Sequence, residues 1–186
     1  MATTRLHRRA ERALLGGLLA LLASAGACRP TGEQAIAQNE LIVRSLIDAV
    51  QAADTAAIVA LFWPEATYDD YASQLQHRGI EEVLGYLTSI HQWADDVYMN
   101  VGQVHVSATG AVAEWLFAGV QARSMGELVP VATGLEVVTN GVTIVEIDGG
   151  RIRRAADYMD TTPMLLQLGG RMELPGGGVM ELDVPR

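Results

Sequence analysis

The sequence predicts an α+β fold: a cone-shaped α+β barrel with three N-terminal helices packed on a curved antiparallel sheet. Two observations support this. Apolar residues first recur at helical spacing, in three segments between residues 35 and 89. From residue 97 the apolar period changes to two, in four long segments separated by turn residues. Helices followed by a run of strands are typical of a sheet that carries helices on one face.

The helices are delimited by their end signals. The first occupies most of the stretch before Asp54, and Asp54 is a typical N-cap for the second. The second helix is expected to end at Phe62, because Pro64 cannot continue it. Gly79 then precedes the third helix, which is predicted to run to about Ser89.

The strands follow a different pattern. One short strand is predicted at residues 67–71, and four long ones at 97–109, 111–122, 134–147 and 151–160. The tripeptide 148–150, Asp-Gly-Gly, is a hairpin turn signal between the last two. Thr161 is the predicted cap of a final helical turn. A sheet that curves around helices leaves a cavity between the two layers, where ligand pockets tend to lie.

The first 27 residues are predicted to be an export signal rather than part of the fold. Four arginines precede the apolar run 13–23, which is too short to span a bilayer. Residues 25–27, Ala-Gly-Ala, form a signal-peptidase site, and Cys28 after them also completes a lipobox-like motif. Cys28 is the chain's only cysteine, so lipidation and plain secretion both remain open. The protein is therefore expected to be exported and periplasmic or otherwise extracytoplasmic, with a lipid on Cys28 as its membrane anchor.

Four regions are predicted: a signal peptide at 1–27, a linker at 28–34, one domain at 35–168, and a flexible tail rich in Gly and Pro at 169–186. The signal segment holds four of the 13 arginines and one of the 22 acidic residues, so the remainder carries a net charge of −12. Such a domain repels nucleic acid and anionic lipid headgroups, and neither is an expected partner.

Three motifs carry a family resemblance. They are DTAAIVALFWPEATYDDY at 54–71, AEWLFAGVQ at 113–121 followed by Ala-Thr-Gly at 132–134, and IDGGRIRRAADYMDTTPMLLQLG at 147–169. With them, roughly residues 33–170 resemble the nuclear-transport-factor-2-like superfamily and its SnoaL-like group of polyketide and ester cyclase-like proteins. The resemblance implies the cone-shaped fold. It implies no single activity, because the fold hosts isomerases, cyclases, epoxide hydrolases and non-catalytic modules.

The resemblance implies two catalytic aspartates. Asp70 occupies the base position of ketosteroid isomerases, and Asp157 matches the acid/base aspartate of SnoaL-like cyclases, with Asp160 as the alternative. The positions of the two isomerase oxyanion donors hold Leu46 and Val142, which cannot donate a hydrogen bond. The isomerase arrangement is therefore incomplete. The Asp-Arg-Asp arrangement of limonene epoxide hydrolases is broken as well, in the neighbourhood of residues 115–117.

The predicted ligand-binding residues surround these aspartates. Tyr68 has the same strand parity as Asp70, and Trp115 and Phe117 share one face of their strand. The remaining predicted ligand-binding residues are Trp63, Val142 and Met159. The alternative interpretation is structural: Asp69 and Asp70 as strand-end residues, Asp157 ion-paired to Arg153 or Arg154, and the tryptophans as core or dimer contacts.

Two functions are compatible with this pattern. The first is an exported protein that binds a small apolar molecule and acts on it as a cofactor-independent acid/base enzyme of the cyclase or isomerase type. The second is a non-catalytic, dimerising module for ligand binding or assembly, tethered to a membrane. No cofactor and no metal are expected, because the histidines lack metal-ligand spacing. A homodimer is expected from the resemblance.

Overall fold

The computed structural model describes residues 32–181, and the predicted signal peptide, Cys28 and most of the linker lie outside the described residues. The described chain forms a helical layer on one face of a curved sheet. No described helix has both the length and the apolar composition needed to cross a bilayer. The predicted α+β class is confirmed.

Five helices form the first layer, in the order α1 Gly32–Gln51, α2 Thr55–Leu61, α3 Ile80–Thr88, α4 Ile90–Trp93 and α5 Thr161–Gln167. Asp54 caps α2 as predicted, because its side chain accepts a hydrogen bond of 2.9 Å from the backbone N–H of Ala57. Such caps satisfy backbone donors that the first turn leaves free.

Six strands form the main sheet: β1 Phe62–Asp70, β2 Leu75–Arg78, β3 Ala94–Ser107, β4 Gly110–Gln121, β5 Glu136–Asp148 and β6 Arg151–Met159. Their spatial order is β2-β1-β6-β5-β4-β3. All neighbours are antiparallel except β1 and β6, which run parallel. The sheet is therefore open and mostly antiparallel, as expected apart from its one parallel pair.

Three local expectations differ from the structure. The second helix ends at Leu61, and Pro64 lies inside β1, because Phe62 is already extended and fully buried. Asp160 rather than Thr161 caps α5, since its carboxylate accepts 2.9 Å from the N–H of Thr162. Within the predicted tail, a small hairpin of β7, Arg171–Glu173, and β8, Val179–Glu181, is present.

The core lies between the inner face of the sheet and the helices. One buried cluster joins α1, α2 and α3 to β1 and β6, and a second joins the end of α1 and α5 to β4 and β5. Helix α1 contributes to both clusters, through Leu46 to the first and Ile47 to the second. A cavity lies where the two clusters meet.

Candidate ligand cavity

A cavity of about 240 Å³ lies between the sheet and the helices, and we call it the inner cavity. Its volume is slightly below the range of about 300 to 1,000 Å³ that is common for ligand sites. Its wall is largely apolar, with a few polar groups: Tyr68, Asp70, Tyr86, Ser89, Thr139, Thr143 and Asp157. The enclosure suits a small, mostly apolar molecule.

Strand pairing brings the two predicted aspartates together. Asp70 and Asp157 are register partners in the parallel pair β1–β6, and both line the inner cavity. Tyr68 lines it too, on the same face of β1 as Asp70, and its side chain is fully buried. Sequence motifs almost 90 residues apart therefore meet at one place.

The carboxylate of Asp157 is held by hydroxyl groups. Its Oδ1 accepts a hydrogen bond of 2.5 Å from the hydroxyl of Thr143, which is its register partner on β5. Its Oδ2 accepts a longer bond of 3.3 Å from the hydroxyl of Tyr86 on α3. Oδ2 is thus the less firmly bound oxygen of the two.

The direction of the hydrogen bond from Thr143 is fixed by a tryptophan. The indole N–H of Trp115 donates to the Thr143 hydroxyl oxygen at 2.8 Å, and an indole N–H can only donate. The single hydroxyl proton of Thr143 is therefore left for Asp157. Gly141 makes the contact possible, because a Cβ there would lie 2.2 Å from a ring carbon of Trp115.

Burial shifts the acidity of Asp157. Removal from water raises its pKa from 3.8 to about 6, and the nearby charge of Asp70 adds to the rise. Hydrogen bonds from Thr143, Tyr68 and Tyr86 act in the opposite direction, since they stabilise the carboxylate. Asp157 consequently exchanges its proton near neutral pH, as a general acid or base must.

The two tyrosines of the cavity keep their protons. Burial, followed by the charge of Asp157, raises the pKa of Tyr68 well above its usual range, and the same two causes raise the pKa of Tyr86. Their rings lie 5.0 Å apart, and His77 stacks on the ring of Tyr86 at 4.6 Å. Both phenols can therefore act as hydrogen-bond donors at neutral pH.

Asp70 is bound to its own turn. One carboxylate oxygen accepts from the backbone N–H of Ala72 at 3.0 Å and of Ser73 at 3.3 Å, and the other accepts from the Ser73 hydroxyl. Asp70 is thus a strand-end turn residue, as the structural alternative predicts, and it also lines the inner cavity.

Asp69 points to the opposite, outer face of the sheet. Its carboxylate contacts Arg154 at 2.5 Å, and Arg154 also contacts Glu146 at 3.3 Å. Arg153 pairs with Glu146 as well. The alternative in which Asp157 pairs with Arg153 or Arg154 is therefore wrong, because both guanidinium groups are bound to other carboxylates.

The structure separates the other predicted ligand-binding residues into two groups. Trp115, Phe117 and Met159 line the inner cavity. Trp63 does not, because its indole N–H donates to the carbonyl of Asp148 at 2.9 Å near the β5–β6 turn. Val142 does not either, because it alternates with Thr143 and faces the outer side of the sheet. Neither residue lies on the wall of the inner cavity.

Thr143 and Tyr86 were not among the residues predicted from sequence. The signal for Thr143 was its strand parity with the buried Val137 and Val145. The signal for Tyr86 was its position three residues after Val83 on an amphipathic helix. Neither signal specifies which group the hydroxyl contacts.

Among residues 32–181, no group of His, Cys, Asp and Glu is arranged to hold a metal ion. The polar groups of the cavity are instead suited to proton transfer and hydrogen bonding.

Comparison with known proteins identifies the family and the fold. Residues 43–155, more than half of the chain, match the family model described as SnoaL-like domain. No curated protein matches the sequence.

Solved structures share the fold at low identity. IdmH of Streptomyces antibioticus, a candidate polyketide cyclase, has a TM-score of 0.63 at 20% identity, covering 72% of this chain and 99% of that one. An M. tuberculosis LEH-like epoxide hydrolase has a TM-score of 0.56 at 19% identity, over 75% and 92%.

A third neighbour is a Catenulispora acidiphila protein with a ketosteroid isomerase-like fold, solved in complex with trimethylamine. Its TM-score is 0.58 at 20% identity, covering 69% of this chain and 92% of that one. These likenesses establish the architecture, while the chemistry has to be argued from the cavity.

Proposed function

The chain belongs to the SnoaL-like family, and from that premise we propose that the inner cavity binds a small apolar molecule on which Asp157 acts as general acid and base. One observation carries the proposal: an apolar cavity whose wall includes a carboxyl group with a pKa raised to about 6. A structural neighbour solved in complex with trimethylamine, a small molecule, is in keeping with a ligand of this size.

The proposed reaction is proton abstraction next to a carbonyl group. Asp157 in its ionised form takes the proton through Oδ2, the oxygen with the longer hydrogen bond. The phenols of Tyr68 and Tyr86 stay protonated and donate to the Asp157 carboxylate in the resting site. Once Asp157 has taken the substrate proton, their O–H groups are released to turn toward the developing enolate oxygen. They take the place of the oxyanion donors missing at Leu46 and Val142.

Asp70 has an electrostatic role in this scheme. Its carboxylate is tied to the turn that follows β1, yet its charge raises the pKa of Asp157. Burial is the main reason that Asp157 is a stronger base than an isolated carboxylate, and the charge of Asp70 adds to it. The proposal thus retains both aspartates predicted from the sequence but gives proton transfer to one of them.

Hydrogen exchange at the α-carbon of a ketone tests the proposal without knowledge of the natural substrate. We expect the protein to accelerate deuterium uptake by a bicyclic ketone such as 2-tetralone in D₂O, followed by NMR. Asp157→Asn is expected to lower the rate by about 10² to 10⁴-fold. Asp48→Asn, an exposed carboxylate of α1, is the matched control and should leave the rate unchanged.

The pH profile provides an independent readout. Because the base must be ionised, the rate should rise with pH and level off above an inflection near 6. If ketones, lactones and epoxides of suitable size show no protein-dependent exchange or turnover, or if Asp157→Asn is as active as wild type, the proposed enzyme activity is wrong.

A dimerising module is the second candidate, and the outer face of the sheet favours it. Apolar side chains there are half-buried or exposed, and Leu116, Val142 and Tyr158 line a hollow of about 690 Å³. An isologous contact between two copies would cover this face. Analytical ultracentrifugation should show a wild-type dimer and a monomeric Leu116→Arg variant. A wild-type protein that is monomeric at all concentrations would rule out the dimerising module.

Export and lipid attachment at Cys28 also remain proposals. We expect the full chain to incorporate a fatty-acid label in a bacterial host and Cys28→Ser to abolish it. Unlabelled protein in the culture medium or periplasm would support plain secretion instead.

A further inference from the structure

The charges around the inner cavity are one-sided. Asp70 and Asp157 both line it, and no arginine, lysine or histidine is among the described residues of its wall. At neutral pH the pKa of Asp157, about 6, leaves it mostly ionised. The cavity therefore holds negative charge that none of its own lining residues neutralises.

The cations of the described chain are bound elsewhere. The chain has no lysine, and each arginine between residues 32 and 181 contacts groups outside the cavity wall. Their partners are Glu40 for Arg44, Gln76 for Arg78, Asp95 for Arg123, Trp63 for Arg151, Glu146 for Arg153, Asp69 for Arg154 and Glu173 for Arg171. None of these arginines serves as a counter-ion within the cavity.

The rest of the lining suits an organic cation. Five aromatic side chains face the cavity, namely Tyr68, Tyr86, Trp93, Trp115 and Phe117. The negative faces of such rings attract ammonium groups, most strongly where water is excluded. Four methionines, Met99, Met125, Met159 and Met164, add polarizable sulfur to the wall.

From the two carboxylates, the aromatic wall and the lack of a basic residue in the lining, we infer that the ligand of the inner cavity is an apolar organic cation, a protonated or quaternary amine. Its ammonium group lies between the aromatic rings and the two aspartates, and its charge offsets part of theirs. Anionic ligands such as carboxylates and phosphate esters are excluded by repulsion. The inference rests on the proposed function, because it names the ligand class of the same cavity.

Three probes of one shape but different charge test the inference. Phenyltrimethylammonium, tert-butylbenzene and benzenesulfonate each carry a tetrahedral head on a phenyl ring, with positive, zero and negative charge. NMR titration of the tryptophan indole signals locates binding, because Trp93 and Trp115 line the cavity whereas Trp63 lies outside it.

We expect phenyltrimethylammonium to shift the signals of Trp93 and Trp115 but not Trp63, and to bind at least about tenfold more tightly than tert-butylbenzene. Benzenesulfonate should not bind. A cation that does not bind, a neutral probe of equal or higher affinity, or an anion that enters the cavity would each overturn the inference.

Variants that remove one charge distinguish the effect of the cavity carboxylates from that of the protein's overall negative charge. Asp157→Asn and Asp70→Asn should each lower the affinity for phenyltrimethylammonium several-fold and leave the affinity for tert-butylbenzene unchanged. Asp48→Asn removes the same charge from an exposed site and should affect neither probe. A cation affinity that is equal in all four proteins would contradict the inference, since the charge of the cavity would then play no part.

The outcome is distinguishable from that of the proposed enzyme activity. Cation binding with no ketone exchange would support the ligand class and reject the catalytic role of Asp157. Ketone exchange without preferential binding of the cation would support the catalytic role of Asp157 and reject the ligand class.

Discussion

Aspartates on the two faces of the sheet have different hydrogen-bond and charge partners. On the outer face, Asp69 is bound by Arg154 at 2.5 Å and by the amide of Gln76 at 2.6 Å. On the inner face, Asp157 receives only hydroxyl hydrogen bonds, and no arginine contacts it among the described ion pairs. Asp69, with its cation partner, has a structural role, whereas burial without a cation raises the pKa of Asp157 to about 6.

The pKa of Arg154 is consistent with this difference. Burial lowers it, but hydrogen bonds and charge from Asp69 and Glu146 raise it overall. Arg154 therefore keeps its positive charge beside both carboxylates. The contrast between the two faces leads to four predictions.

The largest effect is expected on the outer face. Arg154→Met leaves the buried carboxylate of Asp69 without its cation, and loss of one partner of a buried pair is strongly destabilising. We expect the free energy of unfolding to fall by about 3 kcal/mol, measured by urea denaturation. Arg153→Met, at an exposed position, is the control and should cost less than about 1 kcal/mol. Equal losses in both variants would contradict the contrast.

The second effect has the opposite sign. The pKa of Asp157 is raised in the folded state, so its ionisation costs stability: the cost is absent below pH 3.8 and complete above about pH 6. The shift from 3.8 to about 6 corresponds to at most about 3 kcal/mol. Asp157→Asn removes this cost but also weakens the bond from Thr143, so we expect a gain of about 2 kcal/mol at pH 8.

The gain should depend on pH in a defined window. Below pH 4 the folded wild type is already protonated at Asp157, and the variant should have little advantage. A gain that is constant from pH 4 to pH 8, or a loss of stability at pH 8, would show that the carboxyl is not destabilised by burial.

The third effect concerns the hydrogen bond that opposes burial. Thr143→Val keeps the shape of the side chain and removes the donor to Asp157 Oδ1. The pKa of Asp157 should then rise further, by about one unit or 1.4 kcal/mol. The inflection of the ketone-exchange rate would move up by the same amount, and an unmoved inflection would exclude Thr143 as a positioning residue.

The smallest effect is expected one bond further away. Trp115→Phe keeps an aromatic ring beside Gly141 but loses the N–H that orients the Thr143 hydroxyl. We expect the inflection to move upward as well, by less than about half of the shift seen in Thr143→Val. A shift larger than that of Thr143→Val would mean that the indole acts on Asp157 by another route.

Much of the fold was predictable because it rests on local patterns. Most elements could be located from the period of apolar residues, the cap at Asp54 and the turn at Gly149–Gly150. Both glycines of that turn have positive φ. The parallel contact of β1 with β6 was not predicted, since it joins segments from opposite ends of the domain. The end of α2 was misplaced because Phe62 is apolar and fits either a helix or a strand.

The candidate site was predictable only in part, for a similar reason. Strand parity placed Tyr68 and Asp70 on one face, and the structure puts both at the cavity with Asp157. Parity also separates Val142 from Thr143, but the face that is buried depends on the curvature of the sheet. The partners of a hydroxyl group are tertiary contacts, and no local pattern specifies them.

The fixed orientation of the Trp115–Thr143–Asp157 chain has a stereochemical consequence. Since Oδ1 is held by Thr143, Oδ2 with its longer bond to Tyr86 is the oxygen that would approach a substrate in the proposed reaction, from one side of the cavity. A base confined in this way removes one of two prochiral hydrogens and returns a proton to the same face of the enolate. Deuterium introduced by this protein into a ketone would therefore appear in a single enantiomer, whereas exchange in free solution gives a racemate.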